Sequence, residues 1–287
     1  MEKIINTLKN LILDNISDLT QSQKIIADYI IANPQKFALS SIREIEQELN
    51  ISKTTIVRFT QRLGYKGFYE LKTEFLKQIR NDLDPINRYK AFLNEPSTEQ
   101  DFLESISRET YANIQSTLKL IDRDQYTRAI HLLKNADHVY TIGLGTSHFL
   151  AEIASYLFNR VSIKSDCMTN DGLTFVEKLI NVGKKDVILT FAFPVYSEDT
   201  IQAAAYAHKK NIKVITITDK ITSEIMPFTD AAIQVKTDSS TISNSMISVL
   251  LVLYAMVSQL GLELKNKTLQ TIDSITYVRK AYKKHNK

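Results

Sequence analysis

The chain has 287 residues, of which 44% are hydrophobic; because this length exceeds the usual size of one domain, we expect two domains with real hydrophobic cores. A single cysteine, Cys167, excludes an intramolecular disulfide and a Cys-rich metal site, which favours a reducing compartment. The sequence has no run of about 20 apolar residues and no signal-peptide pattern, so a globular cytoplasmic protein without a membrane span is expected.

The net charge of +4 is unevenly distributed along the chain. Residues 1–80 carry +3, residues 81–262 carry −4, and the tail from Glu263 carries +5. A polyanion is therefore expected to bind the N-terminal region, aided by the basic tail, while the acidic middle is left for a small ligand. A solvated, lysine-rich terminus is an equally weighted interpretation of the tail.

The first predicted elements are helices. Residues 3–16 place apolar side chains on one helical face, and a capping box of Thr20 and Gln23 starts the next helix, which must end before Pro34. We expect both helices to support the element that follows at residues 41–68.

Residues 41–68 are typical of a helix-turn-helix. Ser41 and Glu44 form an S-x-x-E capping box that opens a short first helix. Asn50 suits the left-handed backbone of a tight turn, and Ser52 is placed to cap the second helix. The spacing therefore predicts two helices joined by a short turn.

The second of these helices is predicted to run to Leu63 and to bury Ile56 and Phe59. Its other face is basic and begins with short side chains, as a helix in the major groove requires, and the wing at 65–68 offers amides to a phosphate. From residue 52 to 80, seven Lys or Arg residues against two Glu residues favour DNA over an ordinary amphipathic helix pair. The residues assigned to double-stranded DNA are Ser52, Lys53, Thr54, Thr55, Arg58, Arg62 and Lys66.

These residues resemble the RpiR/MurR family of regulators, in which an N-terminal helix-turn-helix is fused to a sugar isomerase (SIS) domain. Residues 19–34 look like the family's first core helix, and residues 52–68 resemble its S-x-x-T-[IV]-x-R-F-x-x-x-L-G-[YF]-x-G-[FY] stretch. Glu46 stands where the family usually carries Ala. Its carboxylate is therefore expected to escape sideways to solvent or to alter the interhelical angle.

A domain boundary is expected near residues 82–100, where Pro85 and Pro96 bracket a polar stretch without strong periodicity. The chain is accordingly divided into an all-α helix-turn-helix domain, a linker, a SIS-like sensor domain and a basic tail. The bounds assigned to these segments are 1–80, 81–100, 101–265 and 266–287.

The second domain is predicted to be α/β, with a parallel sheet flanked by helices. A long helix follows Asp101 with one face from Leu103 to Ile121, and Asp122 with Gln125 caps the next. Short β-branched or apolar runs then alternate with helix-length segments, as in βαβ units. The predicted strands are 138–142, 162–165, 186–193, 213–219 and 231–235, and the apolar segment 242–260 is expected to cover the sheet or to build a subunit interface.

Ligands of such sheets bind beyond the carboxyl ends of the strands. The first candidate loop is Gly143–Ser147, whose glycines allow a sharp turn and whose Ser147 is placed to cap the next helix and to donate to a phosphate. A tight strand-to-helix turn is the competing interpretation.

The second candidate loop spans residues 191–197. By the resemblance it aligns with the S-x-S-G-x-[ST] phosphate cradle of SIS domains, but Ala192, Pro194 and Val195 replace the first Ser, the second Ser and the Gly. Pro194 lacks an amide hydrogen and two acids begin the next helix, so the cradle is expected to hold phosphate weakly. The residues assigned to the ligand are Gly143, Gly145, Thr146, Ser147, Tyr196, Ser197 and Thr200.

Catalysis is the rival interpretation, because SIS domains also occur in aldose-ketose isomerases. Proton abstraction next to a carbonyl needs a positioned base. The segment 236–248, where the resemblance would look for one, holds only Asp238 among its acids, and His148 and His208 fall in predicted helices. We assign no catalytic residue, no metal and no cofactor.

The sequence therefore predicts a DNA-binding transcriptional regulator of the RpiR type that senses a sugar phosphate or related small metabolite. A homodimer or tetramer on a near-palindromic operator is expected, because one helix-turn-helix rarely gives enough specificity. One alternative is a SIS-domain sugar isomerase or lyase with an accessory helical domain. Another is a SIS-like scaffold that binds no ligand and only pairs two DNA-binding heads.

Overall fold

The computed structural model describes residues 12, 19–79, 85–94, 101–169 and 171–285. The chain divides into two compact units, residues 1–99 with 240–242, and residues 100–239 with 243–287. The predicted helix at 3–16 lies outside the described residues except for Ile12, which is fully buried.

The first unit is helical, and the second alternates strands with helices. The helices of the first unit are α1 (Gln21–Ala32), α2 (Pro34–Leu39), α3 (Ile42–Leu49), α4 (Lys53–Arg62), α5 (Phe68–Ile79) and α6 (Pro85–Asn94). The second unit contains α7 (Phe102–Leu120), α8 (Arg123–Lys134), β1 (Val139–Ile142), α9 (Thr146–Arg160), β2 (Ser165–Cys167), α10 (Phe175–Lys178), β3 (Val187–Ala192), α11 (Glu198–Lys209), β4 (Lys213–Thr218), β5 (Ala231–Gln234), α12 (Ile247–Glu263) and α13 (Lys265–His285). Short 3-10 turns occur at Leu179–Asn181 and Met226–Phe228.

Local capping fixes the helices of the first unit. The predicted box of Thr20 and Gln23 is present, with each side chain bonded to the other residue's backbone N–H. Helix α1 ends before Pro34 as predicted, but Pro34 then starts α2, a helix that the sequence analysis missed. Proline is well tolerated at the first helical position because that N–H has no intrahelical partner.

Aromatic side chains fill the core of the first unit. Phe37 from α2 is 1% exposed, and its ring centroid lies 5.5 Å from that of Phe75 and 5.9 Å from that of Phe68. Burying one such side chain stabilises the fold by about 1.5–3 kcal/mol. The missed helix α2 therefore contributes a central part of this core.

The stretch between Pro85 and Pro96 is more ordered than its weak periodicity indicated. Residues Pro85–Asn94 form a helix of 10 residues, α6. The predicted linker at 81–100 is thus helical over part of its length.

The second unit is built on a five-stranded parallel sheet with the strand order β2-β1-β3-β4-β5. All six residues of β3 are buried, as expected for a strand covered on both faces. Alternate strand residues pack in two clusters, one containing side chains of α9 and α12 and the other side chains of α11. The predicted parallel sheet flanked by helices is confirmed.

Two predictions in this unit need correction. The strand predicted at 162–165 lies at Ser165–Cys167, because Ser162 has φ 65° in the turn after α9. The predicted buried face of α7 is also shorter than expected: Thr117 is fully buried, whereas Leu103 at the other end is 80% exposed. The first turns of α7 therefore add little to the core.

The C-terminal segments are both helical. Helix α12 buries Val252, Leu253 and Met256 in the core cluster of the sheet, which confirms that it covers the sheet. The predicted tail at 266–287 forms most of α13. None of the described helices has by itself the length and apolar composition for crossing a membrane; Ile247–Glu263 and Lys265–Tyr282 meet those criteria only together, and they are bent by 103°.

Candidate functional sites

The turn between α3 and α4 has the predicted local geometry. Ser41 and Glu44 form the reciprocal capping box of α3, and Asn50 ends that helix with φ 52° and ψ 41°. Ser52 caps α4 by accepting a hydrogen bond from the N–H of Thr55 at 3.3 Å. The capping contacts join residues three positions apart, so the cap of α4 is provided by its own sequence.

Helix α4 has one buried and one outward face. Ile56 and Phe59 are fully buried, and Leu63 is 5% exposed. On the outward side, Lys53, Thr54, Arg58 and Arg62 are exposed and Thr55 is partly exposed. The face predicted for DNA contact is therefore accessible along the helix.

Arg62 is tied to α1 although its side chain is exposed. Its Nη1 donates a hydrogen bond to Oε1 of Gln23 at 3.3 Å, and Gln23 is itself buried. This bond joins the last turn of α4 to the first turn of α1. Arg62 thus has an anchoring contact that sequence spacing did not indicate.

Glu46 stays partly exposed and also contacts the start of α4, which its sequence position did not indicate. Its Oε1 accepts a hydrogen bond from the backbone N–H of Lys53 at 3.1 Å, and its Oε2 lies 3.6 Å from Nζ of Lys53. The side chains are 35% exposed for Glu46 and 52% exposed for Lys53. The carboxylate therefore folds over the beginning of α4.

The wing after α4 also differs from the expectation. The backbone N–H of Lys66 donates to a carboxylate oxygen of Glu70 at 2.5 Å, so this amide is already paired inside the unit. The Lys66 side chain is exposed. A phosphate at the wing would meet the ammonium group of Lys66 and not its amide.

One lysine of the basic stretch is withdrawn from the surface. Nζ of Lys72 donates to the backbone oxygen of Ser40 at 2.9 Å, and burial lowers the pKa of Lys72. The side chain of Lys77 and all of Arg80 lie outside the described residues. Among the described basic residues of this stretch, Arg58 and Lys66 are the exposed side chains for which neither a hydrogen bond nor an ion pair is present.

In the second unit, the candidate loops follow β1 and β3. These strands pair in parallel, with Val139 opposite Val187 and Ile142 opposite Thr190. The two loops therefore leave the same edge of the sheet side by side. Asp219 follows β4, which is the next strand in the sheet.

The first loop turns more tightly than predicted. Gly145, with φ 60°, is the N-cap of α9, so Ser147 lies inside the helix and does not cap it. Ser147 is 8% exposed, while Gly145 and Thr146 are exposed. A Cβ atom on Gly143 would lie only 2.4 Å from the backbone oxygen of Ser147. Gly143 is thus required for the close approach of α9 to the end of β1.

Ser197, at the end of the second loop, caps the helix that follows. Ser197 accepts a hydrogen bond from the N–H of Thr200 at 3.4 Å and starts α11. Thr200 is 2% exposed, and its Oγ1 is buried without a hydrogen-bond partner among the described residues. The oxygen of Pro194 accepts from Nδ2 of Asn244 at 2.5 Å. This loop therefore offers one buried hydroxyl without a partner and one carbonyl that is already used.

Asp219 is a functional candidate that was not assigned from the sequence. The hydroxyl of Tyr196 donates to its Oδ1 at 2.8 Å. Burial raises the pKa of Asp219, and the hydrogen bond from Tyr196 opposes that shift. An acidic residue directly after a buried strand was the available signal, because strand ends of a parallel sheet line the ligand crevice.

The acid-base candidates are either paired or exposed. Asp238 lies 3.0 Å from Nζ of Lys236, and the imidazole of His148 lies 3.5 Å from Glu152 on the same helix. His208 is exposed on α11. Within the described part of the chain, no group of three His, Cys, Asp or Glu side chains is arranged to hold a metal ion.

Two family models match this sequence. The helix-turn-helix domain of the rpiR family matches residues 6–82, and the SIS domain matches residues 132–262. The first match contains α1 to α5, and the second contains all five strands.

Relatives match over most of the chain. An uncharacterized HTH-type transcriptional regulator of Haemophilus influenzae is 25% identical over 269 residues, covering 88% of this chain and 92% of the relative. The uncharacterized HTH-type transcriptional regulator YbbH of Bacillus subtilis is 31% identical over 207 residues, covering 70% and 69%.

Solved structures share the fold. The sugar isomerase domain of an RpiR transcription factor from Sphaerobacter thermophilus superposes with a TM-score of 0.60 at 20% identity, covering 62% of this chain and 99% of that one. The Vibrio vulnificus NanR protein, complexed with ManNAc-6P, superposes with a TM-score of 0.58 at 19% identity, covering 94% and 98%.

Proposed function

We propose that this chain, which belongs to the rpiR family of helix-turn-helix transcriptional regulators with a SIS domain, binds duplex DNA through the outward face of α4 and responds to a small metabolite at the carboxyl edge of its sheet. The observation that supports the proposal is the placement of Thr54, Thr55 and Arg58 on the outward side of one helix. The opposite side is fixed in the core by Ile56 and Phe59. A helix held by its buried face can present the other to the major groove.

The contacts divide by chemistry. Arg58 is long and exposed, and an arginine in the major groove donates to the two acceptors of guanine. Thr54 and Thr55 are short enough for base edges near the start of the helix, whereas Lys66 suits a phosphate. Ser52 and Arg62 have partners inside the unit, so in this proposal they position α4.

The DNA proposal is tested with the full-length chain. An operator is selected from a random duplex pool, and binding is then measured by fluorescence anisotropy. The double variant Arg58→Ala, Thr55→Ala should lose sequence preference, and Asp28→Asn on the exposed side of α1 is the folded control. An unchanged operator affinity in the double variant, with an unchanged melting temperature, would remove α4 from the assignment.

Assembly as a homodimer or tetramer is proposed from α12. Its inward side chains are buried on the sheet, yet Ile247, Leu251 and Tyr254 on the other side are exposed. A second copy would cover this apolar stripe and pair two helix-turn-helix heads on a near-palindromic operator, with half-sites spaced by whole turns of DNA. Sedimentation should show a dimer or tetramer; a monomer both on and off DNA would contradict the proposal.

The ligand is proposed to be a sugar derivative, as in the NanR structure with ManNAc-6P. In this chain the first loop would supply Gly143, Gly145, Thr146 and Ser147. The second would supply Tyr196, Ser197 and Thr200, whose buried Oγ1 has no hydrogen-bond partner within the described residues. Asp219 beside Tyr196 brings a carboxylate to the same sheet edge, which disfavours a phosphate and suits ligand hydroxyl or amino donors. Simple sugar phosphates should therefore bind weakly.

Calorimetry against hexose and pentose phosphates and their unphosphorylated counterparts tests this site. The expected preference is for the less charged member of each pair. Thr200→Val should weaken binding because it removes the buried hydroxyl, and Thr127→Val on the exposed side of α8 is the matched control. Tight, phosphate-dependent binding that survives Ser147→Ala and Ser197→Ala would show that the site is misplaced.

We further propose that the protein is not an enzyme. Isomerisation needs a base beside the substrate, but Asp238 pairs with Lys236, His148 pairs with Glu152, and His208 is exposed on α11. The two named relatives are transcriptional regulators. Measurable aldose-ketose interconversion by the purified chain would restore the alternative of an isomerase or lyase.

A further inference from the structure

Glu46 occupies the position at which a helix N-terminus attracts anions. The first turn of any helix has N–H groups without intrahelical partners, and its dipole favours negative charge there. In α4 the carboxylate of Glu46 already accepts from the N–H of Lys53, the first residue of the helix. A DNA phosphate would have to compete with this carboxylate for the same place.

The same carboxylate also engages the side chain of Lys53. Its Oε2 lies 3.6 Å from Nζ, so one acid holds both the amide and the ammonium group of one residue. A lysine that neutralises a phosphate releases a counterion and steepens the salt dependence of binding. A lysine that is already neutralised by Glu46 contributes little to DNA affinity or to its salt dependence.

The wing repeats this arrangement. Glu70 accepts from the N–H of Lys66, so a second carboxylate holds a second backbone amide of the outward region. One amide at each place, that of Lys53 at the start of α4 and that of Lys66 in the wing, is therefore paired with an acid of the chain itself. Arg58 and the ammonium group of Lys66 remain as exposed cationic groups for contact with DNA.

We propose that Glu46 is a positioning residue that withholds Lys53 from the DNA backbone, so that the protein binds every duplex more weakly and with a shallower salt dependence. The inference rests on the proposed role of α4 in DNA binding. It assigns to Glu46 an effect on sequence-independent affinity, whereas Arg58 and Thr55 determine sequence preference. The affinity of the regulator for non-specific DNA is thereby lowered.

The pair is exposed enough for a clear electrostatic signature. The side chains of Lys53 and Glu46 are 52% and 35% exposed, so salt screens their attraction. Removing the charge of Glu46 should tighten binding to any duplex about fivefold at low salt, the effect of one unit charge about 4 Å away in water. The slope of log affinity against log salt should become steeper by about 0.9, the value for one additional phosphate contact.

The experiment uses the full-length chain and a mixed-sequence duplex, with anisotropy measured across a salt series. The variants are Glu46→Gln, Lys53→Ala and the double variant. Glutamine keeps an oxygen that can accept from the Lys53 N–H, so the helix start is retained while the charge is lost. Lys53→Ala alone should give the same slope of log affinity against log salt as the wild type. In the double variant, the tighter binding and steeper slope caused by Glu46→Gln should be absent.

Asp28→Asn is the charge-matched control, because Asp28 is an exposed acid on α1. It should leave the salt slope unchanged whether or not Lys53 is present. An unchanged slope in Glu46→Gln, or a shallower slope in Lys53→Ala alone, would overturn the inference. Arg58→Ala, measured on the selected operator, distinguishes failure of this inference from failure of the proposed function. If Arg58→Ala weakens operator binding while Glu46→Gln has no effect, only the role of Glu46 is wrong. If Arg58→Ala has no effect on operator binding, the role of α4 is wrong.

Discussion

Two acids, Glu46 in the first unit and Asp219 in the second, lie where an anionic ligand would otherwise be expected. They differ in their exposure to solvent and in the charge of their partners. Glu46 is partly exposed and pairs with an exposed lysine, so water and salt weaken its field. Burial raises the pKa of Asp219, and its hydrogen-bond donor is the hydroxyl of Tyr196 and not a cation. Salt should therefore tune the DNA-binding face, and pH should tune the ligand pocket.

The two regions also differ in how they tolerate an added side-chain atom. The wing is open: a Cβ on Gly67 would meet no heavy atom within 4 Å. At the first ligand loop, a Cβ on Gly143 would meet the backbone of Ser147 at 2.4 Å. A surface that docks onto DNA can yield, whereas a pocket built by a helix against a strand end cannot.

The largest expected effect is at Gly143. Gly143→Ala must push the start of α9 away from β1, which should cost about 3 kcal/mol of stability and abolish ligand binding. Thermal unfolding of the purified variant measures the loss. Gly67→Ala is the control and should change stability by less than about 0.5 kcal/mol; equal losses in the two variants would remove the contrast between the regions.

The next effect is on DNA recognition. Arg58→Ala should cost roughly 1–3 kcal/mol on the selected operator and less on other sequences, because it removes a base contact. Lys66→Ala should weaken all duplexes about equally and make the salt slope shallower by about 1, as expected for a phosphate contact. Anisotropy on operator and mixed-sequence DNA distinguishes them; uniform weakening by Arg58→Ala would instead make it a phosphate contact.

The effect at Asp219 should depend on pH. Since its folded-state pKa is raised, the folded state binds more protons than the unfolded state between the ordinary carboxyl pKa and the folded value, and stability falls as pH rises through that window. Asp219→Asn should therefore stabilise the fold by roughly 1 kcal/mol at neutral pH and lose this advantage in acid. Melting temperatures across a pH series measure it; a pH-independent difference would exclude the desolvated charge as its cause.

The last expected effect, no larger than that at Asp219, is at the cap of α4. Ser52→Ala removes the acceptor for the Thr55 N–H and should cost about 1 kcal/mol, whereas Ser52→Asp should keep the cap. Denaturant unfolding compares the two variants. Equal stability of Ser52→Ala and wild type would mean that Glu46 alone secures the start of the helix.

The sequence by itself determined the features that depend on near neighbours in the chain. The capping boxes, the left-handed Asn50 and the cap at Ser52 involve residues within one helical turn, so spacing and residue type are sufficient. The alternation of strands and helices likewise predicted the parallel sheet, because each apolar run must be buried. Strand ends then located both loops on one edge of that sheet.

Tertiary structure alone decided the contacts between distant residues. Arg62 reaches Gln23 across 39 residues, Lys72 reaches Ser40 across 32, and Tyr196 reaches Asp219 across 23. Whether a charge is exposed, paired or desolvated depends on what other elements bring beside it, and no local pattern encodes that. The helix proposed to bind DNA could therefore be placed from the sequence, whereas the contacts of Glu46 with Lys53 and of Asp219 with Tyr196 became visible only in the folded chain.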